Sequence, residues 1–232
     1  MKIDKYIGHS GYTSRRKACL LIEEKRVLVN GKVANFSTKI DESDIILIDG
    51  IELKKKVFIP YYIAYHKPKG IICTSEKVKD NIIDAINHPE TIYPIGRLDK
   101  DSEGLILLTN DLPIIDKIGN SKYAHEKEYI VTLNLAVRNT FLTEIRNGIE
   151  INGERTKPCI AVKEPNSKRI FRITLTQGLN RQIRRMCNAY NYQVIKLQRV
   201  RVMNIHLETL KPGQWRNLTI EELTNLLSNL QS

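Results

Sequence analysis

Apolar and polar positions along the chain fall into two patterned regions of unequal length. In residues 1–53, Ile3, Tyr6 and Ile7 recur at helical spacing and predict a first helix, which Gly8-His9-Ser10-Gly11 breaks. Thr13 or Ser14 then caps a second helix whose apolar face is Ala18, Leu21 and Ile22. Val27-Leu28-Val29 and Lys32-Val33-Ala34 flank Asn30-Gly31, a pair suited to a type I′ hairpin turn. Residues 45–53 read as a strand pair closing about Asp49-Gly50. Lys54-Lys55-Lys56 interrupts the pattern, as a solvated linker does. The expected division is a small domain over 1–53, a linker at 54–60 and a larger domain over 61–232.

In the larger region residues 61–65 predict a strand ended by the turn Pro68-Lys69-Gly70, and 82–86 a short helix. Strands follow at 105–109, 129–133 and 169–176. Residues 181–190 read as a helix started by Asn180, and 194–202 as a strand. Thr219-Ile220-Glu221-Glu222 is a capping box opening a C-terminal helix. Strands outnumber helices and many are joined locally, so the expected class is α+β, with a mostly antiparallel mixed sheet and flanking helices.

Composition narrows the function. The apolar fraction is 41%, and no apolar run approaches the roughly 20 residues of a membrane span. Met1-Lys2-Ile3-Asp4-Lys5 has no apolar stretch behind its charges, so no signal peptide is expected. Cys19, Cys73, Cys159 and Cys187 lie far apart, and the five histidines show no ligand spacing. Neither a disulfide scaffold nor a structural zinc is expected. A cytoplasmic monomer with no membrane partner is the expectation. The net charge of +11 points to a polyanion, because neutralising phosphates releases counterions. Both regions share the excess, +4 over residues 1–56 and +7 over the rest.

Two segments carry candidate chemistry. In Thr13-Ser14-Arg15-Arg16-Lys17, three cations crowd the first turn of a helix, where the macrodipole is already positive. They either reach into water or face an anion such as phosphate. In Gly96-Arg97-Leu98-Asp99-Lys100-Asp101-Ser102-Glu103-Gly104, a charged loop feeds an apolar strand, a usual place for catalytic groups. By residue type alone Asp99 or Asp101 could equally cap a turn while Arg97 pairs with a neighbour. The carboxylates lack the Asp-x-Asp-x-Asp-Gly order of a calcium loop. No Gly-x-Gly-x-x-Gly fingerprint, phosphate-binding P-loop or metal spacing is present, so no cofactor and no metal are expected.

Taken whole, residues 2–50 resemble the S4 RNA-binding domain. The resemblance implies an RNA-binding face at Lys5, Arg15, Arg16, Lys17 and Lys32. Gly96-Arg97-Leu98-Asp99, then Ser102-Glu103-Gly104-Leu105 and Thr109-Asn110, resembles the signature of the RsuA/RluB/RluE/RluF family of pseudouridine synthases. Lys127-Glu128-Tyr129 resembles its second motif, and Gly178-Leu179-Asn180-Arg181-Gln182-Ile183-Arg184-Arg185 its third. Tyr65-His66-Lys67-Pro68-Lys69-Gly70 and 213–219 extend the likeness to nearly the whole chain. Lys100-Asp101-Ser102 and 199–204 look most like the RluF members, which act on 23S rRNA.

The resemblance implies an enzyme that cuts the C1′–N1 bond of a uridine, turns the base and rejoins it through C5, with no redox change. The target is expected in 23S rRNA, with tRNA as a further candidate. Asp99 matches the catalytic carboxylate, as nucleophile or as base towards the sugar. Tyr129 matches the active-site tyrosine, able to stack on uracil, and Arg184 the basic residue paired with the aspartate. Arg97 matches a contact to the flipped nucleotide. Leu197 is a candidate for packing on the base, and Arg181 and Arg185 for RNA phosphates. Two other functions fit the same residues. One is a non-catalytic RNA-binding ribosome-assembly protein, the other a nucleoside glycosidase using Asp99 with Asp101 or Glu103.

Overall fold

Ser14 starts its helix by accepting a hydrogen bond from the Lys17 N–H, one of the two caps that the sequence offers there. The computed structural model describes residues 1–41, 43–53 and 59–230. The chain divides into two units, Met1–Ile59 and Pro60–Ser232. Residues 54–58, on which most of the expected linker falls, lie outside the described residues.

The first unit has two helices, α1 (Ile3–His9) and α2 (Arg15–Glu23). Its sheet contains β1 (Val27–Val29), β2 (Lys32–Val33), β3 (Ile46–Ile48) and β4 (Ile51–Glu52), ordered β2-β1-β3-β4 and antiparallel throughout. Both tight turns are left-handed at their two central residues, Asn30 and Gly31 at φ 50° and 78°, Asp49 and Gly50 at 53° and 78°. Type I′ turns need this, and Asn, Asp and Gly tolerate it. Ile3, Ile7, Ala18, Ile22, Val27, Ile46 and Ile48 close the core between helices and sheet.

The second unit begins with β5 (Tyr62–Lys67), α3 (Ile82–Ile86), β6 (Tyr93–Ile95), β7 (Glu103–Thr109) and α4 (Leu112–Gly119). It continues through β8 (Lys127–Leu133), α5 (Asn139–Arg146), β9 (Glu150–Ile151), β10 (Glu154–Arg155), β11 (Ile160–Lys163) and β12 (Ile170–Leu175). It ends with α6 (Gln182–Asn188), β13 (Val194–Val202), β14 (Ile205–His206), β15 (Trp215–Asn217) and α7 (Ile220–Ser228). The main sheet runs β11-β12-β8-β13-β7-β5-β15, with β14 on β13 and β6 on β7. The pairing of β13 with β7 is parallel, and the others described are antiparallel. This is the mixed, mostly antiparallel α+β sheet that the pattern predicts.

β7 reads as an unbroken apolar run because both its faces are covered. Leu105 and Leu107 pack with Ile114 and Ile118 of α4 and Leu226 of α7. Ile106 and Leu108 pack with Ile82 and Ile86 of α3. A third cluster sets Phe141, Leu142 and Ile145 of α5 and Ile183 and Met186 of α6 against β8, β12 and Leu197 of β13. The Thr219–Glu222 capping box forms as expected and opens α7. α6 differs from expectation. It starts at Gln182, and Arg181, not Asn180, is its N-cap, held in the left-handed region at φ 51°.

Candidate active site

The loop between β6 and β7 holds Asp99 between anchored neighbours. Leu98 is buried in the core, and its N–H donates to Cys73 Sγ at 3.3 Å. The Lys100 carbonyl accepts from the Gly70 N–H at 2.7 Å, and the Asp99 carbonyl from the Ser102 N–H at 3.1 Å. The backbone on both sides of Asp99 is thereby fixed, while its side chain stays about one-third exposed. That side chain lines a cleft of about 930 Å³ shared with Arg97, Lys127, Tyr129, Arg181 and Arg199. A recess of about 110 Å³ is bounded by Asp99, Tyr129 and Leu197. Leu197 is buried, with only 6% of its surface exposed, and Tyr129 is half-buried. Arg97 is exposed at the cleft wall, in a segment that belongs to no strand.

The expected pair of Asp99 with Arg184 is not what the structure has. Arg184 Nη2 lies 3.4 Å from Asp101 Oδ2 and donates to the Asp101 carbonyl at 3.1 Å and Ser102 Oγ at 3.3 Å. Its Nη1 donates to the Val194 carbonyl at 3.3 Å. Four acceptors on three residues hold this nearly buried guanidinium against the loop and β13. The cation facing Asp99 is Arg181, with Nη1 at 3.7 Å from Asp99 Oδ2. Arg181 also grips Asp101 through both Nη atoms, at 3.0 and 3.2 Å. The reason is the late start of α6. Arg181 stands outside the helix and reaches back to the loop, whereas Arg184 lies one turn in and faces the backbone of residues 101–102.

Charge in the site is uneven. Burial alone would raise the Asp101 carboxyl, but the hydrogen bond from Arg181 and the charges of Arg184 and Arg181 outweigh it and hold the group below the ordinary carboxylate value. Lys127, at the start of β8, is pushed down to about 8 by burial and then by the charge of Arg199. Burial likewise lowers Lys67, whose fully buried Nζ donates to the Pro68 and Ile71 carbonyls at 3.0 and 2.9 Å. Arg185 donates to Asn180 Oδ1 at 2.8 Å and lines a neighbouring groove of about 550 Å³ with Lys69 and Arg184.

In the first unit, Lys5, Arg16, Lys17 and Lys32 are exposed and make no ion pair among the described residues. Arg15 differs, because its Nε donates to Asp4 Oδ2 at 2.5 Å. The anion opposite that helix start is therefore a side chain of α1, as far as Arg15 is concerned, although Arg15 itself remains mostly exposed. Among the described residues no group of three or more His, Cys, Asp or Glu could hold a metal ion, and no helix is long and apolar enough to cross a membrane.

Lys127 and Arg199 line the site without a role implied by the resemblance, although strand periodicity points to both. Lys127 is two residues from Tyr129, and Arg199 is two residues from Leu197, hence on the same faces. Lys67 gave no such signal, since its burial depends on the turn that follows β5.

The loop carboxylate Asp99, the facing Arg181, Tyr129 at the start of β8 and the buried Leu197 thus meet around one recess. The chain belongs to the RNA pseudouridylate synthase family, whose model matches residues 61–189, and it carries an S4 domain over residues 1–46. It is a pseudouridine synthase acting on RNA. It is 43% identical to the dual-specificity RNA pseudouridine synthase RluF of Escherichia coli strain K12, a match spanning 100% of this chain and 80% of that protein. It is 35% identical to the ribosomal large subunit pseudouridine synthase B of Bacillus subtilis strain 168, over 97% of this chain and 95% of that one. A pseudouridylate synthase crystal structure matches with a TM-score of 0.70 at 28% identity, covering 97% of this chain and 99% of that one.

Proposed function

We propose that this pseudouridine synthase modifies a uridine of 23S rRNA, as a cytoplasmic monomer, with Asp99 as the reacting carboxylate. One observation supports the residue assignment: Asp99 shares the walls of one recess with Tyr129 and Leu197, a carboxylate beside an aromatic and an apolar side chain. Asp99 acts at the sugar as the C1′–N1 bond opens. Tyr129 stacks on the uracil, and Leu197 lies beneath it. The base turns, C5 bonds to C1′, and the C5 proton is lost while N1 regains one, so nothing is oxidised or reduced. Arg181 holds the Asp99 and Asp101 carboxylates in place, and Arg184 positions the loop through Asp101 and Ser102. Arg97 contacts the flipped nucleotide, and Arg185 takes an RNA phosphate at the rim. Lys5, Arg15, Arg16, Lys17 and Lys32 hold RNA on the S4 face.

The 23S rRNA assignment rests on the likeness to RluF and to the large-subunit enzyme of Bacillus subtilis. Pseudouridine mapping of 23S rRNA and tRNA tests it, in cells carrying the gene, lacking it, or carrying Asp99→Asn. One 23S position should lose its mark in both the deletion and the variant. A mark lost only from tRNA would overturn the rRNA assignment. A mark retained with Asp99→Asn would overturn the role of Asp99. Sedimentation of the purified chain checks the monomer.

A further inference from the structure

The two faces of the β8–β13 strand pair treat their cations differently. On the face away from the cleft, Arg201 of β13 and the neighbouring Arg172 of β12 both meet carboxylates. Arg201 Nε donates to Glu128 at 3.0 Å and its Nη2 to Glu126 at 2.9 Å, while Arg172 binds Glu128 and Glu164. On the cleft face, Arg199 sits directly across from Tyr129, and Lys127 two residues before it on the same side. A register shift between Arg199 and Arg201 sends these two arginines to opposite faces.

Neither cleft-side cation has a carboxylate among the described residues. Arg199 is only 2% exposed, and its Nε donates to the Leu105 carbonyl at 2.6 Å. Its Nη2 is buried without any hydrogen-bond partner. Among the described residues Lys127 Nζ donates only to the His125 carbonyl, at 3.1 Å. Both line the cleft that holds Asp99. Two like charges drawn together out of water repel each other, and a buried donor left unpaired costs stability. The same strands show that this sequence supplies a carboxylate where one is wanted. Its absence here leaves a place for an anion from outside.

We infer that Lys127 and Arg199 form a phosphate seat inside the cleft, which takes one phosphodiester of the RNA strand beside the flipped uridine. A planar fork and a flexible ammonium together suit a phosphate's tetrahedral oxygens. Because Tyr129 lines both the cleft that holds these cations and the recess that holds Asp99, the phosphate they hold fixes the sugar of the flipped nucleotide against Asp99. Both are positioning residues. The inference rests on the chain's binding RNA in this cleft, and the roles proposed for Asp99 and Tyr129 are not needed for it.

The test uses the full chain and in vitro-transcribed 23S rRNA, with dissociation constants measured over a series of KCl concentrations and pseudouridine formation followed separately. Lys127→Gln should weaken binding roughly tenfold and flatten the salt slope by about 1, while Lys127→Arg restores both. Removing a rim charge would give the same binding loss, so the kinetics matter too. In Lys127→Gln a methylphosphonate at the linkage beside the target uridine, in a short stem-loop carrying it, should cost nothing further, whereas it slows the wild type. Arg199→Lys guards against misfolding at Lys127 and, once shown to be folded, should show the same insensitivity, at a somewhat lower melting temperature because the bond to the Leu105 carbonyl is lost. Unchanged affinity and slope in folded Lys127→Gln, or equal sensitivity to the methylphosphonate, would overturn the seat. If Asp99→Asn remained active while these effects persisted, the catalytic assignment would fall and the seat would stand.

Discussion

Arg181 grips Asp101 with both Nη atoms, at 3.0 and 3.2 Å, while one of them stands only 3.7 Å from Asp99 Oδ2. One guanidinium therefore serves two carboxylates two residues apart. Arg184, one helical turn further on, serves the loop backbone. The two arginines should differ when removed. Arg181→Ala should lower turnover on saturating RNA by about a hundredfold or more while leaving stability nearly unchanged, since it is an exposed group. Arg184→Ala should lower turnover too, but with a loss of roughly 1.5–3 kcal/mol of stability, because its loop partners become unpaired in a nearly buried place. Arg184→Lys should not restore that stability, because an ammonium lacks the fork that reaches the Asp101, Ser102 and Val194 oxygens together. Chemical denaturation alongside single-turnover rates separates the two. Equal destabilisation would refute this division.

Gly104 is set where no other residue fits. Its φ is +111°, and a Cβ there would lie 2.2 Å from the Arg199 carbonyl oxygen. This is the point at which β7 and β13 pair in parallel, Arg199 against Gly104. Gly104→Ala should cost about 3 kcal/mol or more, since backbone rather than a flexible side chain must give way. It should also depress activity by shifting the Asp99 loop that feeds β7. A melting temperature close to wild type would contradict the close approach.

Much of this architecture was legible because local signals agreed. Asn30-Gly31, Asp49-Gly50, Ser14 and the Thr219–Glu222 box each specify a turn or a cap by the chemistry of a few residues, and each appears in place. The start of α6 was not legible. Asn180 is a good cap by type, but Arg181 takes the left-handed N-cap position, which places its side chain on the loop carboxylates 80 residues earlier in the chain. That tertiary attraction has no local signature. α4 and α5 have no clear local signature either. α4 opens with a proline and α5 lacks a side-chain cap, so their stability comes from Ile114 and Ile118, and from Phe141, Leu142 and Ile145, packed on the sheet. The candidate residues of the site come from motif resemblance, whereas which of them pair depends on long-range geometry.

Asp4 gives the first unit an acid sensitivity. It is buried in α1, which by itself would raise its carboxyl. The hydrogen bond and charge of Arg15 outweigh this and hold it below the ordinary value. A carboxyl depressed in the folded state adds stability above its unfolded value near 4 and loses it as pH falls through the folded value. The unit should therefore weaken below about pH 4. Arg15→Ala should remove the depression and with it the acid loss from this group, leaving a lower but flatter stability across the same range, as amide exchange of α1 across an acid series would show. Arg16→Ala with Lys17→Ala should leave the acid profile alone and instead weaken RNA binding and flatten its salt slope, since these two have no protein partner among the described residues. An unchanged slope in the double variant would remove the RNA-binding role from this helix start.

Lys127 should make stability and RNA affinity run in opposite directions above neutral pH. Burial, and then the charge of Arg199, bring it down to about 8 from the ordinary lysine value of 10.5. A lysine depressed in the folded state is held charged at a cost below pH 8, because the unfolded chain binds that proton more readily. Between about 8 and 10.5 the folded form is neutral while the unfolded form remains charged, so stability from this group rises with pH. The charged form is the one that attracts phosphate, so affinity should fall through the same window. Lys127→Met should abolish the rise and be at least as stable as the wild type at pH 7, while binding RNA more weakly there. Lys127→Arg, which stays charged, should keep its affinity to pH 9. Denaturant melts and RNA titrations at half-unit steps from pH 7 to 10 check both curves. Affinity that falls equally in wild type and Lys127→Arg would assign the titration to another group.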